Sequence, residues 1–224
     1  MSRSPAILGA LAALLLFVAL PSAASAATVT VRADGVLTFT SSTTEKNVAA
    51  LSVRAGGEVV VSDSVTLTPV TASPCTVSGK QAVCPAVVGI EVRSGGGDDV
   101  LTVDPGVTVP VTVWDGSGSD TVTGGAGTTT FVNESGNDTF NAGAGGASFT
   151  HGSGRDTFNG GAGTDVLSYA TATRSVTATV DGAANDGVSF EADRVGTSID
   201  QIVGSNYNDR LGGDASGQTL TGGL

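Results

Sequence analysis

Between residues 115 and 168 a large apolar residue recurs every nine positions: Val122, Phe131, Phe140, Phe149, Phe158 and Leu167. Each sits in a short polar segment behind a glycine-rich one. The stretch reads DGSGSDTVT, GGAGTTTFV, NESGNDTFN, AGAGGASFT, HGSGRDTFN, GGAGTDVLS, six units with no insertion. The fourth position is Gly in every unit (Gly118, Gly127, Gly136, Gly145, Gly154, Gly163). A lone apolar residue between two polar ones is the pattern of a short strand whose middle side chain points inward. The glycines before it permit backbone angles closed to other residues, so the chain can reverse tightly. The third position alternates Ser and Ala, and the sixth reads Asp120, Thr129, Asp138, Ala147, Asp156, Asp165. The repeat is therefore eighteen residues long, with two unlike halves. This predicts an all-β fold, a parallel β-roll or β-solenoid of nonapeptide repeats. Residue n lies over residue n+18, roughly 4.8 Å away, and each coil touches only its neighbours.

That register stacks Asp120, Asp138 and Asp156 on one side of the roll. Two carboxylates about 5 Å apart repel by roughly 3 kcal/mol at an effective dielectric near 20. A hard divalent cation with oxygen ligands turns this repulsion into attraction, and calcium accepts the irregular oxygen sets that such loops offer. The other side carries Thr129, Ala147 and Asp165, so a one-sided ladder is expected, with the second side contributing only from Asp165. The alternative use of the same residues is a turn scaffold in which each Asp accepts hydrogen bonds from its own loop.

The nonapeptide resembles the repeats-in-toxin (RTX, hemolysin-type) calcium-binding repeat G-G-x-G-x-D-x-U-x, which forms a parallel β-roll. The unit at 160–168 matches it at every fixed position. The resemblance implies calcium between successive loops, held by sixth-position carboxylates and by backbone carbonyls of the glycine region. Carried onto this chain, the ligands are Asp120, Asp138, Asp156 and Asp165, with Gly116, Gly118, Gly136, Gly152, Gly154, Gly161 and Gly163. Two imperfect units add Asp99 (SGGGDDVLT, 94–102) and Asp209 (GSNYNDRLG, 204–212). Three extra residues, 103–105, break the frame after the first and leave the place of Asp99 open.

Residues 27–93 have no repeat register, but 28–33, 35–40, 48–54, 57–63 and 64–70 alternate or run apolar between turn residues. They predict a strand-rich N-terminal cap on a roll at 94–168, of the kind solenoids use to cover a terminal coil. Asp34-Gly35 is a turn signal. Trp114, just ahead of the regular array, is expected to pack over its first coil. The period stops at 169–203, where 175–182 alternates like a strand and the segment from there to Ile199 reads as a surface excursion. It resumes, truncated, at 204–224, where Gln218 replaces the acid. The last residues open another unit, so the chain reads as a piece of a longer array.

Residues 1–26 read as a secretory signal peptide: Arg3, an apolar run at 7–20, and Ala24-Ser25-Ala26 before Ala27. The run is about fourteen residues, short of the roughly twenty that span a bilayer, so no transmembrane anchor is expected. Its removal takes one of ten basic residues and none of the 21 acidic ones, moving the charge from −11 to −12. A chain this acidic is not expected to bind nucleic acid. Cys75 and Cys84, nine apart in an exported chain, predict a local disulfide. His151 stands alone; there is no H-E-x-x-H and no G-x-S-x-G, so an enzyme is not expected. The expected function is a secreted, calcium-folded structural or surface module facing extracellular matrix, polysaccharide or a cell surface. The alternatives are the non-catalytic tail of a longer secreted enzyme, and an ice- or polysaccharide-binding face. That face would present Thr121, Thr123, Thr139, Asn141, Thr157 and Asn159.

Overall fold

In the computed structural model the described residues are 27–41 and 44–223; the signal peptide expected at 1–26 lies outside them. Among the described residues the chain forms two long sheets, of ten and twelve strands, and no helix. The eighteen-residue register holds through the array. Val111–Trp114, Thr129–Val132, Ala147–Thr150 and Asp165–Ser168 pair in parallel in one sheet. Thr121–Thr123, Thr139–Asn141 and Thr157–Asn159 do so in the other. Phe131, Phe140, Phe149 and Phe158 meet between the sheets, each at most 1 % exposed, with neighbouring ring centroids 4.8–6.4 Å apart. Sequence periodicity thus becomes a continuous aromatic core.

The two halves of a coil differ more than the pattern implies. On the carboxylate side the strand has three residues with only the middle one buried. On the other side it has four, and Thr129, Ala147 and Asp165 also point inward.

The cap continues the roll. Val36–Thr40 pairs with Gly89–Arg93 in parallel, and Val48–Val53 with Val100–Val103. The Asp34-Gly35 turn closes an antiparallel hairpin between Ala27–Val31 and Val36–Thr40, with Gly35 at φ +82°. Three cap strands were not among those expected: Thr76–Ser78, Gln81–Cys84 and Gly89–Arg93. Cys75 and Cys84 are disulfide-bonded across the first two of these. The three extra residues are absorbed at the turn that follows Val100–Val103, so Val100 lies over Thr121 at a spacing of 21.

Two expectations are corrected. The strand expected at 175–182 forms as Val176–Thr179, but the stretch from there to Ile199 is not a surface excursion. Val176–Thr179, Ala184–Val188 and Asp193–Val195 extend the carboxylate-side sheet, and Gln201–Val203 extends the other. Tyr169, Val180, Val195 and Ile199 are buried within residues 169–203. The insert leaves the stack and returns to it. Trp114 does not cover the first coil; it faces outward on its strand, with the Arg93 guanidinium 3.8 Å from its ring centroid. Strand alternation buries Val111 and Val113, which puts Trp114 on the opposite face.

Candidate metal centre

The sixth-position aspartates form one unbroken column along the edge of the roll. The N–H of Asp99 donates to Asp120 Oδ1 (2.7 Å), that of Asp120 to Asp138 Oδ1 (2.7 Å), and that of Asp138 to Asp156 Oδ1 (2.9 Å). Asn47 N–H donates to Asp99 Oδ1 (2.6 Å), and Asp156 N–H to Asp193 Oδ1 (2.9 Å). Each of these carboxylates therefore binds the coil before it rather than its own loop, unlike the turn scaffold. Asp99 takes its place in the column despite the three-residue break.

Stacking at this distance depends on glycine. A β-carbon on Gly136 would sit 1.6 Å from the Gly118 carbonyl oxygen, and one on Gly154 1.5 Å from that of Gly136. Gly116 offers its carbonyl to Ser135 N–H (3.0 Å). Gly152, Gly161 and Gly163 are likewise packed against the coil preceding theirs.

In Asp99, Asp120 and Asp138 one oxygen is thus committed and the other is not, whereas Asp156 Oδ2 accepts from Asn133 Nδ2 (2.7 Å) and Asp193 Oδ2 from Tyr169 O–H. The Oδ2 atoms of Asp99, Asp120 and Asp138 are buried with no hydrogen-bond partner. Beside them stands a second column that sequence reasoning missed: Asp115, Asn133, His151 and Tyr169, first position of every other unit. Asp115 Oδ1 accepts from Gly116 N–H and Glu134 N–H, while its Oδ2 is also unpartnered. Oxygens of Asp115, Asp120 and Asp138 lie within 4.8 Å of one another, all three residues buried. The first position in the alternate units is polar and never Gly, and that signal was available in the sequence.

Burial holds these groups toward the neutral form. It raises Asp115 to about 8, aided by the Asp138 charge, and Asp120 to about 7. Asp138 and Asp99 rise to about 6 from the ordinary 3.8, again chiefly through burial. Three buried carboxylates with orphaned oxygens facing each other are an unfavourable set without a counter-charge. The donor set, oxygen throughout, fits a hard divalent cation such as calcium.

The remaining candidates lie elsewhere. Asp165 is on the opposite side; its Oδ2 accepts from Gly161 N–H (2.7 Å), its Oδ1 is unpartnered, and its N–H donates to Asp200 Oδ2 (2.8 Å). Asp209 is not brought to the column. Its strand, Arg210–Gly212, pairs with Val176–Thr179 at the sheet's edge, and Asp209 accepts from Ser205 in its own loop and from Val176 N–H. Asp193 and Asp200 were missed because the insert returns at spacings of 37 and 35 rather than eighteen. On the outward face Asn159 Nδ2 donates to Asn141 Oδ1 (2.9 Å), so these amides bond along their own column.

Residues 111–131 and 152–170 match the RTX calcium-binding nonapeptide repeat, in four copies. The chain carries a calcium-binding repeat module of the RTX type. No curated protein and no solved structure matches it. No helix among the described residues is long and apolar enough to cross a membrane.

The raised carboxyls give a pH dependence with a definite sign. Their folded-state values lie above the unfolded one, so their neutral forms favour the fold at low pH. That contribution is lost as pH rises through about 6 to 8. In chelator, the urea midpoint at pH 5 is expected to exceed that at pH 8. In excess calcium, which competes with these protons, the order is expected to reverse.

Proposed function

We propose that this is a secreted structural or surface module whose β-roll folds on calcium, with Asp115, Asp120 and Asp138 holding one ion and Asp99 and Asp156 extending the same column. The reading is carried by the orphaned, buried Oδ2 atoms of Asp99, Asp115, Asp120 and Asp138. The acidic composition and the leader at 1–26 support export. A chain held open by carboxylate repulsion where calcium is scarce, and closed where calcium reaches about 10⁻⁴ to 10⁻³ M, suits such a route. No catalytic role is assigned, and the partner class is extracellular matrix, polysaccharide or a cell surface.

The test is far-UV circular dichroism of the chelated chain during parallel calcium and magnesium titrations. A rise in β signal specific to calcium is expected. A chain fully folded in chelator and indifferent to calcium would overturn the reading. Export is checked separately by N-terminal sequencing of the secreted product, which should begin at Ala27.

A further inference from the structure

The first-position column changes chemistry along the roll: Asp115, then Asn133, then His151. At the His151 level the insert supplies two acids that regular coils lack. His151 Nε2 lies 2.9 Å from Glu191 Oε2, and the donor atoms of His151, Glu191 and Asp193 fall within 4.8 Å of one another. His151 is 9 % exposed and Asp193 fully buried. The supporting contacts orient these donors. Tyr169 O–H donates to Asp193 Oδ2 (3.2 Å), and its ring packs on the His151 imidazole with centroids 4.8 Å apart. Val188 N–H donates to Glu191 Oε2 (2.9 Å).

A separate observation lies one coil earlier. Asn133, 5 % exposed, has an Oδ1 with no hydrogen-bond partner. That oxygen abuts Gly152, next to His151, and would lie 2.6 Å from a β-carbon placed there. Asn133, His151 and Glu191 line one surface cleft of about 560 Å³. A buried, unpaired acceptor on a residue that lines the same cleft as His151 and Glu191 is a polar group that lacks a partner.

We propose that His151, Glu191 and Asp193 form a second metal site, distinct in chemistry from the all-oxygen calcium column, that takes a borderline divalent transition cation of the zinc class. Imidazole nitrogen is a poor ligand for calcium and a good one for zinc, which also accepts carboxylate oxygen. Donors about 2 Å from a tetrahedral zinc lie about 3.3 Å apart, so the group must contract slightly, with the ion replacing the hydrogen between His151 and Glu191. Three protein donors leave a fourth position open to the cleft. The Tyr169 contact fixes Asp193 as outer-shell partners commonly do. The site exists only because the insert returns to the stack where the column has become histidine.

The test uses the full chain without an affinity tag, in saturating calcium. Titration calorimetry with zinc chloride is expected to give one zinc per chain, with a melting-temperature rise of about 5 °C. Cobalt is expected to give visible absorption of a nitrogen- and oxygen-ligated ion. His151→Asn, which places at this level the residue already present one coil earlier, should weaken zinc at least about tenfold and leave the calcium midpoint unchanged. Glu191→Gln should do the same and serves as the second reading if the first variant does not fold in calcium. No zinc binding, or binding unchanged in the folded variants and so owed to surface carboxylates alone, overturns the proposal. The calcium titration of the same samples reports on the calcium column independently.

Discussion

Asp138→Asn is expected to move calcium-induced folding to at least about tenfold higher calcium while leaving the calcium-free chain no less stable. Asp138 is the middle of the column: its Oδ1 accepts from Asp120 N–H, and its Oδ2 is buried and unpaired beside Asp115 and Asp120. Asparagine keeps an oxygen for the backbone bond and removes the charge. Without calcium that change removes a charge that burial, and then the nearby Asp156 charge, disfavours, the two effects that raise Asp138 to about 6. With calcium it removes a ligand charge. Asp138→Ala should behave differently, because it also leaves the Asp120 amide unpaired, at about 1–3 kcal/mol. Asp214→Asn is the control: Asp214 is exposed and bonded only within its own turn to Ser216 and Gln218. Calcium midpoints by circular dichroism separate the three. Equal midpoints for Asp138→Asn and Asp214→Asn would remove Asp138 from the site.

Phe149→Ala is expected to destabilise the calcium-bound protein by about 3–5 kcal/mol, a large share of the roughly 5–15 kcal/mol typical of a folded protein. Phe149 is fully buried and stacked on Phe131 at 4.8 Å, with Phe140 and Phe158 closing around it. Because each coil touches only its neighbours, the cavity cannot be filled from elsewhere in the chain. Phe149→Leu should cost well under half as much, since the same column already accepts Leu167 in the next coil. Urea midpoints in saturating calcium measure both. Equal loss for the two variants would mean that ring stacking, and not filled volume, holds the position.

The regular part of this fold was legible because two periods coincide in it. The nine-residue spacing of Val122 to Leu167 named the core, and the eighteen-residue alternation of Asp with Thr or Ala named the carboxylate side. Asp115 was hidden because the eye takes the first position as glycine, and an acid in a loop is ordinary. Asn47 was hidden because a cap residue takes its place in the column through strand pairing alone. Asp193 and Glu191 were hidden because the insert changes the spacing; only the pairing of Phe158 with Val195 places them. Gly89–Arg93 alternates well enough to be read as a strand, but its parallel partners are far away in sequence.

The eighteen-residue register also limits how such a chain can change length over evolution. Losing 133–150 would remove one whole turn of the roll and leave Asp120 over Asp156, Phe131 over Phe149's successor in its column, and both faces intact. Losing nine residues would exchange the two sides, setting Thr or Ala where the metal edge needs Asp. A duplication slipping by one motif is therefore damaging, and one slipping by two is silent. The insert at 169–192 shows the other permitted edit, a longer segment that buries its own Tyr169 and Val180, adds strands to the sheet and returns to the same columns at its ends.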